Sequence, residues 1–124
     1  MSIVIYAKDS KRLASFYERV LGLRREEEDT GFVLLGSQSL ELAIVQASQT
    51  VSEQIEITSP PSVRLDTPMK PSFAVINIEG CRAAIESGGG GLKPQAAAWT
   101  WLGAVHLNGW DPEGNVIQLR QSDA

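Results

Sequence analysis

The sequence predicts an α+β fold in which two βαβββ modules form one curved mixed sheet. Three observations point to it. A β-branched strand followed by an amphipathic helix opens the chain, and the same order restarts near Phe73. A stretch rich in proline and poor in apolar residues separates the two runs. Each half closes on an apolar strand broken by a single polar side chain, Glu41 within Ser39-Leu40-Glu41-Leu42 and Gln118 after the turn Asp111-Pro112-Glu113-Gly114-Asn115.

The elements follow in order. Residues 2–7 are β-branched and aromatic, which favours a strand. Asp9 or Ser10 then caps a helix. Its apolar positions, Leu13, Phe16, Tyr17, Val20 and Leu21, recur at the helical period, and Gly22 stands where a left-handed cap belongs. The charged run Arg24 to Asp29 is a connector or an exposed strand edge, with a solvated surface as its role. Strands are expected at Phe32 to Leu35 and Leu40 to Gln46, joined by Gly36-Ser37.

Residues 48–71 lack periodicity and read as an extended arm joining modules at about 1–47 and 72–122. In the second module, Phe73 to Ile78 is a strand. Gly80 to Ser87 is a short helix with Cys81, Ala84 and Ile85 inward, ended by the glycines from Gly88 to Gly91. Strands near Trp101 to Leu107 and Asn115 to Gln121 complete it. In the closing turn Pro112 presets φ, while Gly114 and Asn115 tolerate positive φ. Neither half buries much core by itself, so the modules share a sheet surface or exchange elements with a second subunit.

Composition narrows the function. At 124 residues, with 43% hydrophobic and 21% charged side chains, the chain suits one globular domain. No apolar run reaches the roughly 20 residues of a membrane span. The first residues show no basic segment followed by an apolar one, and a cytoplasmic protein is expected. The lone Cys81 makes no internal disulfide and no metal motif. A net charge of −4 argues against nucleic acid as a partner.

The helix from Leu13 to Leu23 behind Asp9, the Leu40-Glu41-Leu42 strand and the Asp111 to Asn115 turn together resemble the vicinal oxygen chelate superfamily. That superfamily includes glyoxalase I, extradiol dioxygenases, and fosfomycin- and bleomycin-resistance proteins. The resemblance covers nearly the whole chain. It implies that each module curls into half of a cup, and that cups are completed across a homodimer. In metal-dependent members four ligands, drawn from His, Glu and Gln, lie on the first and last strand of each unit. Ser2, Glu41, Phe73 and Gln118 fall at those positions, a set that implies no metal and no other cofactor.

Strand alternation makes its own prediction about the lining. Tyr6 shares a face with Ser2 and Val4, Glu41 with Ala43 and Val45, Asn77 with Phe73 and Val75, and Arg120 with Gln118 and Val116. The result is a mostly apolar small-molecule site with a few polar points. A carboxylate there pairs, protonates or meets a cation. Glu41 therefore contacts Arg120 or Gln118, receives a cationic or hydrogen-bond-donating ligand, or acts as a base. Trp99, Trp101 and Trp110 supply aromatic walls for a planar or cationic ligand, or serve in a core or dimer interface. His106 either holds a structural hydrogen bond or reaches the cup.

Three functions compete: a metal-free binding protein of the bleomycin-resistance type, a metal-dependent lyase, isomerase or dioxygenase using Glu41 and Gln118, and a metal-free enzyme or regulatory module. The first is favoured, with a small molecule bound in an aromatic-lined cup by Tyr6, Glu41, Phe73, Asn77, Trp99, Trp101, His106, Trp110, Gln118 and Arg120.

Overall fold

The computed structural model describes residues 1–123, and the chain divides into two compact units, Met1–Ile57 and Thr58–Ala124. The first unit runs β1 (Ser2–Ala7), α1 (Ser10–Leu21), β2 (Arg24–Glu28), β3 (Phe32–Gly36), β4 (Glu41–Gln46) and α2 (Gln49–Gln54). Its sheet has the order β1-β4-β3-β2, with β1 and β4 parallel and the other pairs antiparallel.

The amphipathic pattern of α1 does what its period demands. Leu13, Phe16, Tyr17 and Val20 are buried, as are Val33 and Leu35 of β3 and Leu42 and Ile44 of β4. Each such side chain contributes about 1.5–3 kcal/mol of burial. Asp9 is the cap: its Oδ1 accepts the Arg12 N–H at 3.1 Å. Gln46 adds a second tie at the same end. Its Oε1 accepts the Ser10 N–H at 3.0 Å, and its Nε2 donates to the Lys8 carbonyl at 2.6 Å. Gly22, at φ 65°, ends the helix. The charged run forms edge strand β2, largely exposed and laced by Lys11–Glu28, Arg24–Glu26, Arg25–Glu18 and Arg25–Glu28 ion pairs.

The second unit contains β5 (Ser72–Ala74), a 3-10 turn (Glu79–Cys81) leading into α3 (Arg82–Ser87), then β6 (Gly91–Leu92), β7 (Trp99–Trp101), β8 (Ala104–Trp110) and β9 (Val116–Ser122). Its sheet order is β5-β9-β8-β6, with β7 also paired to β8. The two units thus repeat one topology: β5 corresponds to β1, β9 to β4, β8 to β3, and β6 with β7 to β2. Phe73, Ile78, Ile85, Leu107, Ile117 and Leu119 are buried in the second unit.

Three expectations are corrected. The arm is not wholly extended, because Ser48 caps the short helix α2 by accepting the Val51 N–H at 3.3 Å. The strand begun at Phe73 leaves the ladder after Ala74, since Ile78 already starts the 3-10 turn, its N–H held by Gln121 Oε1 at 2.6 Å. The strand expected across Trp101 to Leu107 is a hairpin instead. Leu102 and Gly103 both have positive φ, 49° and 75°, as a two-residue primed turn requires. In the closing turn only Gly114 takes positive φ, at 85°.

That turn is organised by Asp111, which is fully buried. Its Oδ1 accepts the N–H groups of Glu113 at 2.9 Å and Asn115 at 3.0 Å, and its Oδ2 accepts Asn115 Nδ2 at 2.8 Å. Gly114 lies against the end of the arm. A Cβ there would sit 2.1 Å from the Ser62 carbonyl oxygen, and the Gly114 carbonyl accepts the Arg64 N–H at 2.8 Å.

Candidate functional site

Each sheet has one face covered by its helix and one open face, and ladder register assigns side chains to them. In the first unit Ser2 stands beside Glu41, Val4 beside Ala43 and Tyr6 beside Val45. Leu42 and Ile44 point the other way and are buried, while Glu41, Val4 and Tyr6 are exposed. Glu41 therefore occupies the open face with an apolar strip of Val4, Ala43 and Val45 and the Tyr6 ring. Solvent reaches the carboxylate, so it needs no buried partner.

In the second unit the open face carries Gln118 and Arg120 of β9, opposite Asn108 and His106 of β8. Trp110 continues this row, and Trp99 pairs with His106 from β7. Trp101, two residues beyond Trp99, shares its face. Arg120 is tied down, with Nη1 donating to the Ser72 carbonyl and to Ser72 Oγ at 3.2 Å.

Two expected site residues are placed elsewhere. Phe73 pairs with Leu119, not Gln118, and is 4% exposed in the core. Ser72 takes the position beside Gln118, one residue earlier than the sequence suggested. Asn77 lies beyond the end of β5, where its Oδ1 accepts the Gly80 N–H at 3.0 Å and starts the 3-10 turn. It also borders a cavity of about 490 Å³ next to Val105 and Leu107, which have the opposite strand parity to His106 and Gln118.

The corrected register reveals matching geometry in the two units. Ser2 neighbours Glu41, and Ser72 neighbours Gln118, across equivalent parallel pairs. The Glu41 N–H donates to the Met1 carbonyl and the Gln118 N–H to the Pro71 carbonyl, both at 2.8 Å. Ser2, Glu41 and Gln118 are positions at which the resemblance places metal ligands, and Ser72 stands where Phe73 was expected. Each pair offers one hydroxyl with a single carboxylate or amide. A transition ion wants several His, Cys, Asp or Glu donors, so these residues do not fit one. Among the described residues no three such side chains group together.

The aromatic part of the open face is well defined. Trp99 stacks on His106 with ring centroids 5.4 Å apart and planes 15° from parallel, and Trp101 lies 5.9 Å from the same imidazole at 49°. The imidazole is 6% exposed, while Trp99 and Trp101 are 39% and 61% exposed. His106 Nε2 lies 3.1 Å from the Trp101 carbonyl. A carbonyl only accepts, so Nε2 carries a proton and donates it. Nδ1 is buried with no hydrogen-bond partner among the described residues, and so is Asn108 Oδ1. Sequence reasoning passed over Asn108, whose strand parity with His106 was the available signal.

No protein-family model matches the sequence, and no curated protein does. Solved structures match along the whole chain. A glyoxalase/bleomycin resistance protein/dioxygenase family enzyme from Burkholderia phytofirmans PsJN shares 17% identity over 98% of this chain and 96% of that one, with a TM-score of 0.70. The bleomycin-binding protein from bleomycin-producing Streptomyces verticillus, complexed with copper(II)-bleomycin, shares 16% identity over 99% and 95%, with a TM-score of 0.61. The fosfomycin resistance protein FosX from Listeria monocytogenes shares 12% over 98% and 89%, with a TM-score of 0.67. With topology repeated in both units and this agreement over nearly the full length, the chain has the glyoxalase/bleomycin-resistance fold.

Proposed function

We propose that this protein binds a small planar or cationic organic molecule without a metal, on the open face of the second unit's sheet, and works as a cytoplasmic homodimer. The observation that carries the reading is the aromatic platform of Trp99, His106 and Trp101. Partly exposed indoles held by a buried imidazole offer flat apolar surface at little cost in side-chain entropy, which suits stacking on a planar ring or a cation. Two further features agree with it: the donor pairs at Ser2–Glu41 and Ser72–Gln118 are poor transition-metal ligands, and one solved neighbour is a bleomycin-binding protein. Exposed Val4, Tyr6 and Trp101 support a second subunit, since unpartnered apolar surface favours association.

The test is calorimetry with metal-free bleomycin, a molecule with planar rings and a cationic tail, on protein kept in a chelator. The expected result is saturable binding that weakens at least about tenfold in Trp99→Ala/Trp101→Ala, in line with the energy of aromatic anchors. Absence of heat, or heat that requires added divalent metal, would remove the reading.

A further inference from the structure

We propose that a second site, at the opposite end of the same sheet face, binds a small aromatic carboxylate that also carries a hydroxyl or amine donor. The site is a cavity of about 320 Å³ beside Trp110. It lies within the second unit, four residues along β8 from the level of His106, or about 13 Å at the rise of an extended strand.

Its construction argues for a built pocket. Trp110 and Val116 line it from the sheet, and Val63 and Leu65 line it from the arm. The arm is fixed there by the Gly114 turn, whose carbonyl holds the Arg64 N–H at 2.8 Å. The Trp110 ring is fixed by Gly91: a Cβ at that glycine would lie 2.1 Å from Cζ2 of the indole, so the ring packs directly on bare backbone. A volume near the lower end of the range for ligand pockets suits a molecule of about one ring.

Charge selects the ligand class. Among the described residues Lys70 and Lys93 both line the cavity, and no Asp or Glu does. Among the described residues neither ammonium has an ion-pair partner. Two free ammonium groups beside an aromatic wall favour an anion with a flat apolar body over a cation. The remaining polar group is Asn108, whose buried Oδ1 accepts no hydrogen bond among the described residues. A buried acceptor without a donor is a standing penalty, and a ligand O–H or N–H relieves it. The carboxylate thus faces the lysines, the ring lies against Trp110, and the donor meets Asn108.

The probe is 4-hydroxybenzoate, titrated by calorimetry against the full chain, with 4-hydroxybenzylamine and benzoate as controls. Saturable binding is expected, at least about tenfold weaker for the amine and several-fold weaker for benzoate. Lys70→Glu/Lys93→Glu, two exposed positions, should lose at least about tenfold in affinity with an unchanged circular dichroism spectrum. No saturation up to about 10 mM, equal binding of the amine, or unchanged affinity after the charge reversal overturns the proposal. So does benzoate binding as tightly, for the donor requirement. Retained binding in Trp99→Ala/Trp101→Ala supports a site separate from the aromatic platform. Loss there without loss in the charge-reversed variant assigns the binding to the platform and overturns this site.

Discussion

Gly91 and Trp110 show how much one missing methyl group sets. The indole occupies the volume a Cβ would need, with 2.1 Å between Cζ2 and the position of that atom. Gly91→Ala must displace the ring or the short strand, and overpacking of this kind costs about 1–3 kcal/mol. Urea unfolding should record that loss, together with a change in tryptophan emission; a variant as stable as the parent would show that the ring is not held there. The closing turn is a similar case. Its Asp-Pro-Glu-Gly-Asn spacing was readable, because proline and glycine restrict or free φ in known ways. The role of Asp111 was not, because a charged residue in a turn normally reads as solvated, whereas here three hydrogen bonds from Glu113 and Asn115 hold it fully buried. Phe73 was misplaced for a related reason. A one-residue slip of register exchanges the two faces of a strand, and only the pairing with Leu119 reveals which face it takes.

Among the elements, α1 was legible from end to end, since period, cap and terminal glycine all agree. The β7–β8 hairpin was not. Its turn is Leu102-Gly103, and leucine gives no turn signal, yet Leu102 sits at φ 49° with 81% of its surface exposed. Leu102→Asn should therefore stabilise the protein by about 0.5–1 kcal/mol, because asparagine tolerates the left-handed region far better than leucine. A thermal melt that falls instead would mean the leucine makes a contact worth more than the strain. On the edge strand β2, Glu28 accepts a hydrogen bond from Lys11 at 3.1 Å, and that bond, joined by Arg25, holds its carboxyl below the ordinary value of 4.5. A depressed carboxylate contributes stability that is present above its unfolded pKa and is lost as pH falls through the folded one. The melting gap between the parent and Glu28→Gln should accordingly be small but present at pH 7, and should close as pH drops below 4.5. A gap that widens on acidification would contradict the assignment.

For the whole molecule, the repeat was legible because both halves carry the same order of strand and helix signals. The equivalence of Ser2–Glu41 with Ser72–Gln118 became visible only through ladder register. Part of the open-face chemistry also followed from parity: Glu41, Gln118 and Arg120 fall where alternation puts them. What escaped was the imidazole–indole stack, because contact between β7 and β8 depends on the hairpin turn, and Lys93 beside Trp110, because it follows the two-residue strand β6, too short to show a pattern. The proposed function rests on donor pairs that are poor transition-metal ligands and on the aromatic platform as a binding surface. The most direct measurement is a nuclear magnetic resonance titration of the three indole N–H signals and the His106 ring with metal-free bleomycin in the presence of a chelator. Progressive, saturable shifts of Trp99, Trp101 and His106 are predicted. Indole signals that stay still throughout, or that move only once a divalent metal is added, would contradict it.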